Sequence, residues 1–101
     1  MLESKPGSHV VTGSVRLIHA VGMHARPAVK LTKLAKKFNA DISIRPSEAA
    51  AWVNAKSVAK VMAMRAQRDS MIEIMAAGAD AAAAVEALVG LVAADFPDDD
   101  Q

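Results

Sequence analysis

The chain of 101 residues has no cysteine and no tyrosine, and its only aromatic side chains beyond histidine are Phe38, Trp52 and Phe96. Without cysteine there is neither a disulfide framework nor a thiolate metal site, so packing alone must hold the fold. The scarcity of aromatics also weighs against a base-stacking nucleic-acid binder. Such a domain needs rings on a sheet face, and Trp52 is the one candidate in a strand. No stretch reaches the roughly 18 apolar residues of a membrane-spanning helix. The opening "MLESKPGSHVVTG" carries no apolar core of the secretory kind. These absences lead us to expect a cytoplasmic protein of one domain, with residues 1–9 as a flexible leader. Three histidines, His9, His19 and His24, share no ligand spacing on a common element, so no metal site is expected.

Charge is present but unevenly placed. Twelve Lys and Arg against seven acids leave residues 1–94 with a net charge of +5, while Asp95 and Asp98, Asp99 and Asp100 follow. "PDDDQ" begins with a helix breaker and repels itself, and residues 96–101 are expected to form a disordered acidic tail. The basic residues cluster: Arg26, Lys30, Lys33, Lys36 and Lys37 form one group, Lys56, Lys60, Arg65 and Arg68 another. Each lysine alone is explained by a solvated face. Two groups in one small domain point to an acidic partner or an anionic ligand.

Periodicity supplies the fold. In "HVVTGSVRLIHA", Val15 and Leu17 share one face and Arg16 takes the other, which predicts a strand. Gly22 interrupts the chain. From Pro27 onward, Ala28, Leu31, Leu34, Ala35 and Phe38 recur at helical spacing, with Asn39 as the expected C-terminal cap. "ADISIRP" alternates as a second strand, "AAAWVN" is a weaker third, and "AKSVAKVMAM" has the spacing of a short helix starting near Ser57. "SMIEIMA" turns Ile72 and Ile74 inward as a fourth strand. Asp80 is placed to cap a last helix whose stripe is Ala84, Val85, Leu88, Leu91 and Val92. The order β-α-β-β-α-β-α predicts an α+β fold over residues 10–95: an open two-layer sandwich with a four-stranded antiparallel sheet and three helices on one face.

The chemistry concentrates in "GMHARPAVKL". A helix start offers unpaired N–H groups and the positive end of the helix dipole, which together bind anions. Ala25 and Arg26 can offer amides, and the Arg26 guanidinium suits a phosphate. Pro27 fits the first turn, where its missing N–H costs nothing. His24 stands just before them. A neutral imidazole keeps one ring nitrogen free and is a competent nucleophile toward phosphorus. An exposed loop histidine beside a surface arginine would have the same spacing, and spacing alone does not separate the two.

"GMHARPAVKL" resembles the active-site motif of the HPr family, the histidine phosphocarriers of the bacterial phosphoenolpyruvate-dependent sugar phosphotransferase system. "NAKSVAKVM" resembles that family's Lys-Ser segment, and "IEIMAAGADAAAAVEALVGLV" its last strand and helix, so the likeness spans about residues 13 to 94. The resemblance implies that His24 takes a phosphoryl group on Nδ1 from phospho-enzyme I and passes it to an A-type sugar-specific or regulatory domain. By the same resemblance Ala25 and Arg26 bind the phosphate and Pro27 fixes the helix start. Lys30, Val58, Met62 and Met64 would form the docking surface, with methionines able to adapt to several partners. Ser57 matches a serine that a dedicated HPr kinase/phosphorylase modifies in some bacteria, although a serine there also serves as a helix cap. A monomeric, cofactor-free carrier that is not an enzyme in the strict sense is implied, with neither nucleic acid nor membrane as partner.

Some positions depart from the family pattern. "RPSEAAAWVN" is longer than usual and lacks an Asn-Gly turn, Val21 stands where polar residues are common, and Arg65, Arg68 and Asp69 occupy a connection that is usually glycine-rich. These leave open a module of a multiphosphoryl-transfer protein or one serving a dihydroxyacetone kinase.

Overall fold

Alternation along three segments and a 3.6-residue stripe along two others are realised in a computed structural model that describes residues 10–49 and 51–97. Its elements are β1 (Val10–Arg16), α1 (Ala25–Ala35), β2 (Asp41–Pro46), β3 (Val53–Asn54), α2 (Val58–Ala63), β4 (Met71–Ala77) and α3 (Ala81–Ala93). The strands form one antiparallel sheet in the order β1-β4-β2-β3. This is the α+β architecture and the element order that the periodicity predicts.

Side chains alternate across a strand, so register decides which set is buried. Val15 stands opposite Ile72, and Ile44 opposite Ile74. These four, with Ile42 and Ala76, are buried under the helices. The helical layer contributes Ala28, Leu31 and Ala35 from α1, Val61 from α2, and Ala84, Val85, Leu88 and Val92 from α3. Gly13 lets α3 approach β1 closely: a Cβ there would lie 2.8 Å from Val85 Cγ1 and 3.1 Å from Val89 Cγ2. On the opposite face Arg45 and Glu73 are cross-strand neighbours joined by a 2.9 Å ion pair. The Arg45 guanidinium also lies 4.3 Å from the Trp52 ring centroid, so that ring is already engaged within the molecule.

Three local expectations are corrected. Asn39 is not the C-cap of α1; Lys36 is. Asp80 does stand at the N-cap of α3, but its carboxylate makes no cap bond. It accepts instead from the Asn39 amide at 2.7 Å, tying the turn after α1 to the start of α3. A long-range hydrogen bond has displaced both local caps. The third correction concerns the tail expected over residues 96–101. Phe96 is only 5% exposed and belongs to the core. Asp95 and Phe96 take positive φ values of 64° and 52°, and the Phe96 amide donates back to the Leu91 carbonyl at 2.9 Å. The chain thus reverses at the end of α3 and tucks the ring inward, a way of satisfying helix-terminal carbonyls. The expected leader at residues 1–9 and the remainder of the expected tail, residues 98–101, lie outside the described residues.

Gly90, on the exposed side of α3, has no heavy atom within 4 Å of the position a Cβ would take. Gly90→Ala therefore removes backbone freedom without a clash and is expected to stabilise the protein by about 1 kcal/mol. Urea unfolding checks this, as a raised midpoint at unchanged slope.

Candidate functional site

The segment from Leu17 to His24 leaves β1 and must deliver a polar helix start while its own backbone is held. Leu17, fully buried, is clamped on both sides: its amide donates to Ser70 O at 2.9 Å and its carbonyl accepts from the Asp69 amide at 2.7 Å. Arg16 Nη1 adds a 2.9 Å bond to Asp69 O. At the other end the Met23 amide donates to Ala66 O at 2.9 Å, and the Met23 side chain is buried. Between them Gly22 adopts φ +76° and its amide closes a turn onto His19 O at 3.0 Å. A Cβ on Gly22 would lie 2.6 Å from Ala66 O. The α2–β4 connection is thus the platform on which this loop rests.

His24 is the N-cap of α1, with extended backbone and no side-chain cap bond. The first intrahelical bond, from the Ala28 amide to His24 O, measures 3.0 Å. Pro27 is buried and has no N–H. Ala25 and Arg26 are exposed, and among the described residues neither amide has a protein acceptor. The first turn holds no acidic residue. The helix therefore presents two free N–H groups and its positive dipole end to solvent, directly after an imidazole.

The His24 ring is half-buried and asymmetric: Nε2 is closed off from solvent and has no hydrogen-bond partner, while Nδ1 is not so enclosed. The His19 ring abuts it, centroids 5.1 Å apart and planes at 73°. Phe96 backs His19 at 5.9 Å. Beside these rings lies a cleft of about 170 Å³ lined by His19, Arg26, Pro27, Lys30 and Phe96, with no carboxylate in its wall. Lys30 reaches across it to donate to Phe96 O at 2.9 Å. A larger cleft of about 460 Å³ runs between the β2–β3 and α2–β4 connections, where Arg65 and Arg68 sit near Glu48 and Asp69. It mixes both signs of charge and shares no lining residue with the start of α1, whereas Arg26 and Pro27 line the smaller one.

The fold brings His24, Ala25, Arg26 and Pro27 together at one helix start, with Lys30 one turn further on. Ser57, Val58, Met62 and Met64 are separate, on and beside α2. Ser57 Oγ caps α2, accepting from the Lys60 amide at 3.2 Å. Met62 is 38% exposed, whereas Val58 and Met64 are half-buried against the core and Val61 fills it. Lys56, counted above with the second basic group, donates to Phe38 O at 3.0 Å. His19 and Phe96 are the site neighbours that sequence reasoning missed. The available signal for His19 was its position five residues before His24 with a turn-forming glycine between them. Among the described residues no group of three or more His, Asp or Glu side chains could hold a metal ion, and no helix is long and apolar enough to cross a membrane.

Residues 11–94 match the family model described as "PTS HPr component phosphorylation site". The phosphocarrier protein HPr of Neisseria meningitidis serogroup A is 33% identical over 79 residues, covering 78% of this chain and 86% of that protein. A multiphosphoryl transfer protein of Vibrio cholerae is 37% identical over 78 residues, 76% of this chain but 20% of that protein. The crystal structure of a phosphocarrier protein HPr from Bacillus anthracis superposes with a TM-score of 0.76 at 37% identity, covering 82% of this chain and 96% of that one.

Because Gly22 combines a left-handed φ with backbone contact at Ala66, Gly22→Ala is expected to destabilise the protein by more than about 1 kcal/mol. It should also shift the His24 ring resonances in NMR spectra, since the loop must move off its platform.

Proposed function

We propose that this chain, which belongs to the HPr family of phosphocarrier proteins of the phosphotransferase system, carries its phosphoryl group on Nδ1 of His24. The observation that supports the reading most is the open helix start: two acceptorless amides immediately after an imidazole whose other nitrogen is enclosed.

In accepting the group, the Nδ1 lone pair attacks phosphorus in line with the bond to the donor nitrogen. That bond breaks and its electron pair stays with the donor, while the proton on His24 remains on Nε2. Phosphoryl transfer needs positioning and charge stabilisation more than covalent help. The Ala25 and Arg26 amides and the dipole of α1 stabilise the oxygens, and the Arg26 guanidinium contributes a charge-assisted pair. The reverse sequence hands the group on. The chain emerges unchanged in composition, a stoichiometric carrier rather than an enzyme.

The donor in this reading is phospho-enzyme I, charged from phosphoenolpyruvate, and the acceptor a histidine on an A-type domain. Met62, exposed on α2, with Val58, Met64 and Lys30 would meet these partners, and Ser57 would be the substrate of an HPr kinase/phosphorylase. A second reading, a carrier module working within a multiphosphoryl-transfer protein, is favoured by the likeness to one fifth of such a protein. It uses the same His24 chemistry.

Incubation with enzyme I and labelled phosphoenolpyruvate is expected to give an acid-labile, base-stable phosphoryl group that is lost in His24→Ala. Retention of the label in that variant contradicts the assignment. Arg26→Ala should slow transfer on the order of a hundredfold, the scale of removing one preorganised charge-stabilising donor, with the melting temperature unchanged.

A further inference from the structure

The larger cleft, about 460 Å³, lies apart from the start of α1, between the β2–β3 and α2–β4 connections. Its volume falls within the range of about 300–1,000 Å³ usual for small-molecule pockets. Both walls are places where the chain departs from the family pattern. One belongs to the lengthened connection "RPSEAAAWVN", the other to the segment carrying Arg65, Arg68 and Asp69 where glycines are usual. Arg65, Arg68, Glu48 and Asp69 all line the cleft. Among the described residues, no hydrogen bond or ion pair engages any of these four side chains. Opposite charges that face one cleft without pairing leave guanidinium forks for a carboxylate and carboxylates for an ammonium. Pro46 and Ala66 are buried and Met64 is half-buried, so the lining between the charges is apolar. The backbone points the same way. Arg65 takes φ 52°, a conformation that suits glycine, and such strain gathers at ligand-binding segments.

We infer that this cleft binds a small zwitterion of the α-amino-acid class with an aliphatic side chain. Arg65 and Arg68 take its carboxylate, Glu48 and Asp69 its ammonium, and Pro46 and Met64 its apolar body. A simple anion would meet two carboxylates and a simple cation two guanidiniums, so a ligand carrying both charges fits the lining best. The inference goes beyond the phosphocarrier reading and does not depend on it. Occupancy is nonetheless felt at the histidine loop, because one segment serves both. Ala66 O accepts from the Met23 amide, Ser70 O accepts from the Leu17 amide, and the Asp69 amide donates to Leu17 O. A ligand that draws Arg65, Arg68 and Asp69 together therefore bears on the backbone that supports the start of α1.

Titration of the whole 15N-labelled protein with L-leucine, followed by amide NMR, tests this. Saturable shifts are expected at Glu48 and from Arg65 to Ser70, with smaller ones at Leu17 and Met23. 4-Methylpentanoate lacks the ammonium and 3-methylbutylamine lacks the carboxylate. Each should bind about tenfold less tightly, the scale of losing one charge-assisted contact. Glu48→Gln and Arg68→Gln should each weaken leucine binding by a similar factor. Arg65→Gly relieves the left-handed strain, so it should raise the urea midpoint while weakening leucine binding, a combination that a purely structural arginine would not give. The absence of saturable shifts in the cleft with leucine would overturn the inference, as would unchanged affinity in folded Arg65→Gly and Arg68→Gln. Either analogue, or inorganic phosphate, binding there as tightly as leucine would also overturn it and reduce the cleft to a simple ion site. None of these readouts involves phosphorylation of His24, so they hold whether the carrier reading stands or fails.

Discussion

Two amide protons without acceptors, on Ala25 and Arg26, make the start of α1 useful, and leaving them so runs against the usual economy of helices. A serine or aspartate at the N-cap would satisfy such groups and stabilise the helix by about 0.5–2 kcal/mol. Here the cap is a histidine whose side chain makes no cap bond, the next turn carries no acid, and Pro27 is preset for the helical φ without needing a partner. The site's affinity for anions follows from what the helix forgoes. An exposed position is essential to this, because solvent can satisfy the amides until a phosphate replaces it.

An uncapped start must be held by something other than its own side chains. The support comes from the α2–β4 connection, which bonds the loop at Leu17 and Met23 and fits against Gly22. That connection reverses through Arg65 and Asp69 at φ 52° and 72°, non-glycine residues in a region that favours glycine. Aspartate tolerates this conformation better than most residues, whereas arginine has no such local compensation. The departure from a glycine-rich connection noted in the sequence therefore changes which side chains shape the turn, and the platform under the histidine loop remains.

Strands β1, β2 and β4 and the stripes of α1 and α3 were legible in the sequence because each buries one face, and burial of one face writes a period into the chain. The end signals were not. Asn39 and Asp80 each have the chemistry of a local cap, yet they bond one another across 41 positions. Only tertiary placement decides between a local and a distant partner for the same carboxylate. Phe96 looked like tail because a proline and a run of acids follow it. Its burial depends on two left-handed residues that composition does not announce. His24, Arg26 and Pro27 were legible because they are contiguous. His19 was not, since its contact with His24 exists only once Gly22 has turned the chain back.

The central claim, that the amides opening α1 receive the phosphoryl oxygens carried by His24, is tested most directly by amide NMR spectra before and after the protein is phosphorylated. The account predicts that the Ala25 and Arg26 amide protons move downfield more than any others, as N–H groups do on gaining a charged acceptor. Phosphorylated His24 with both resonances unmoved would contradict it.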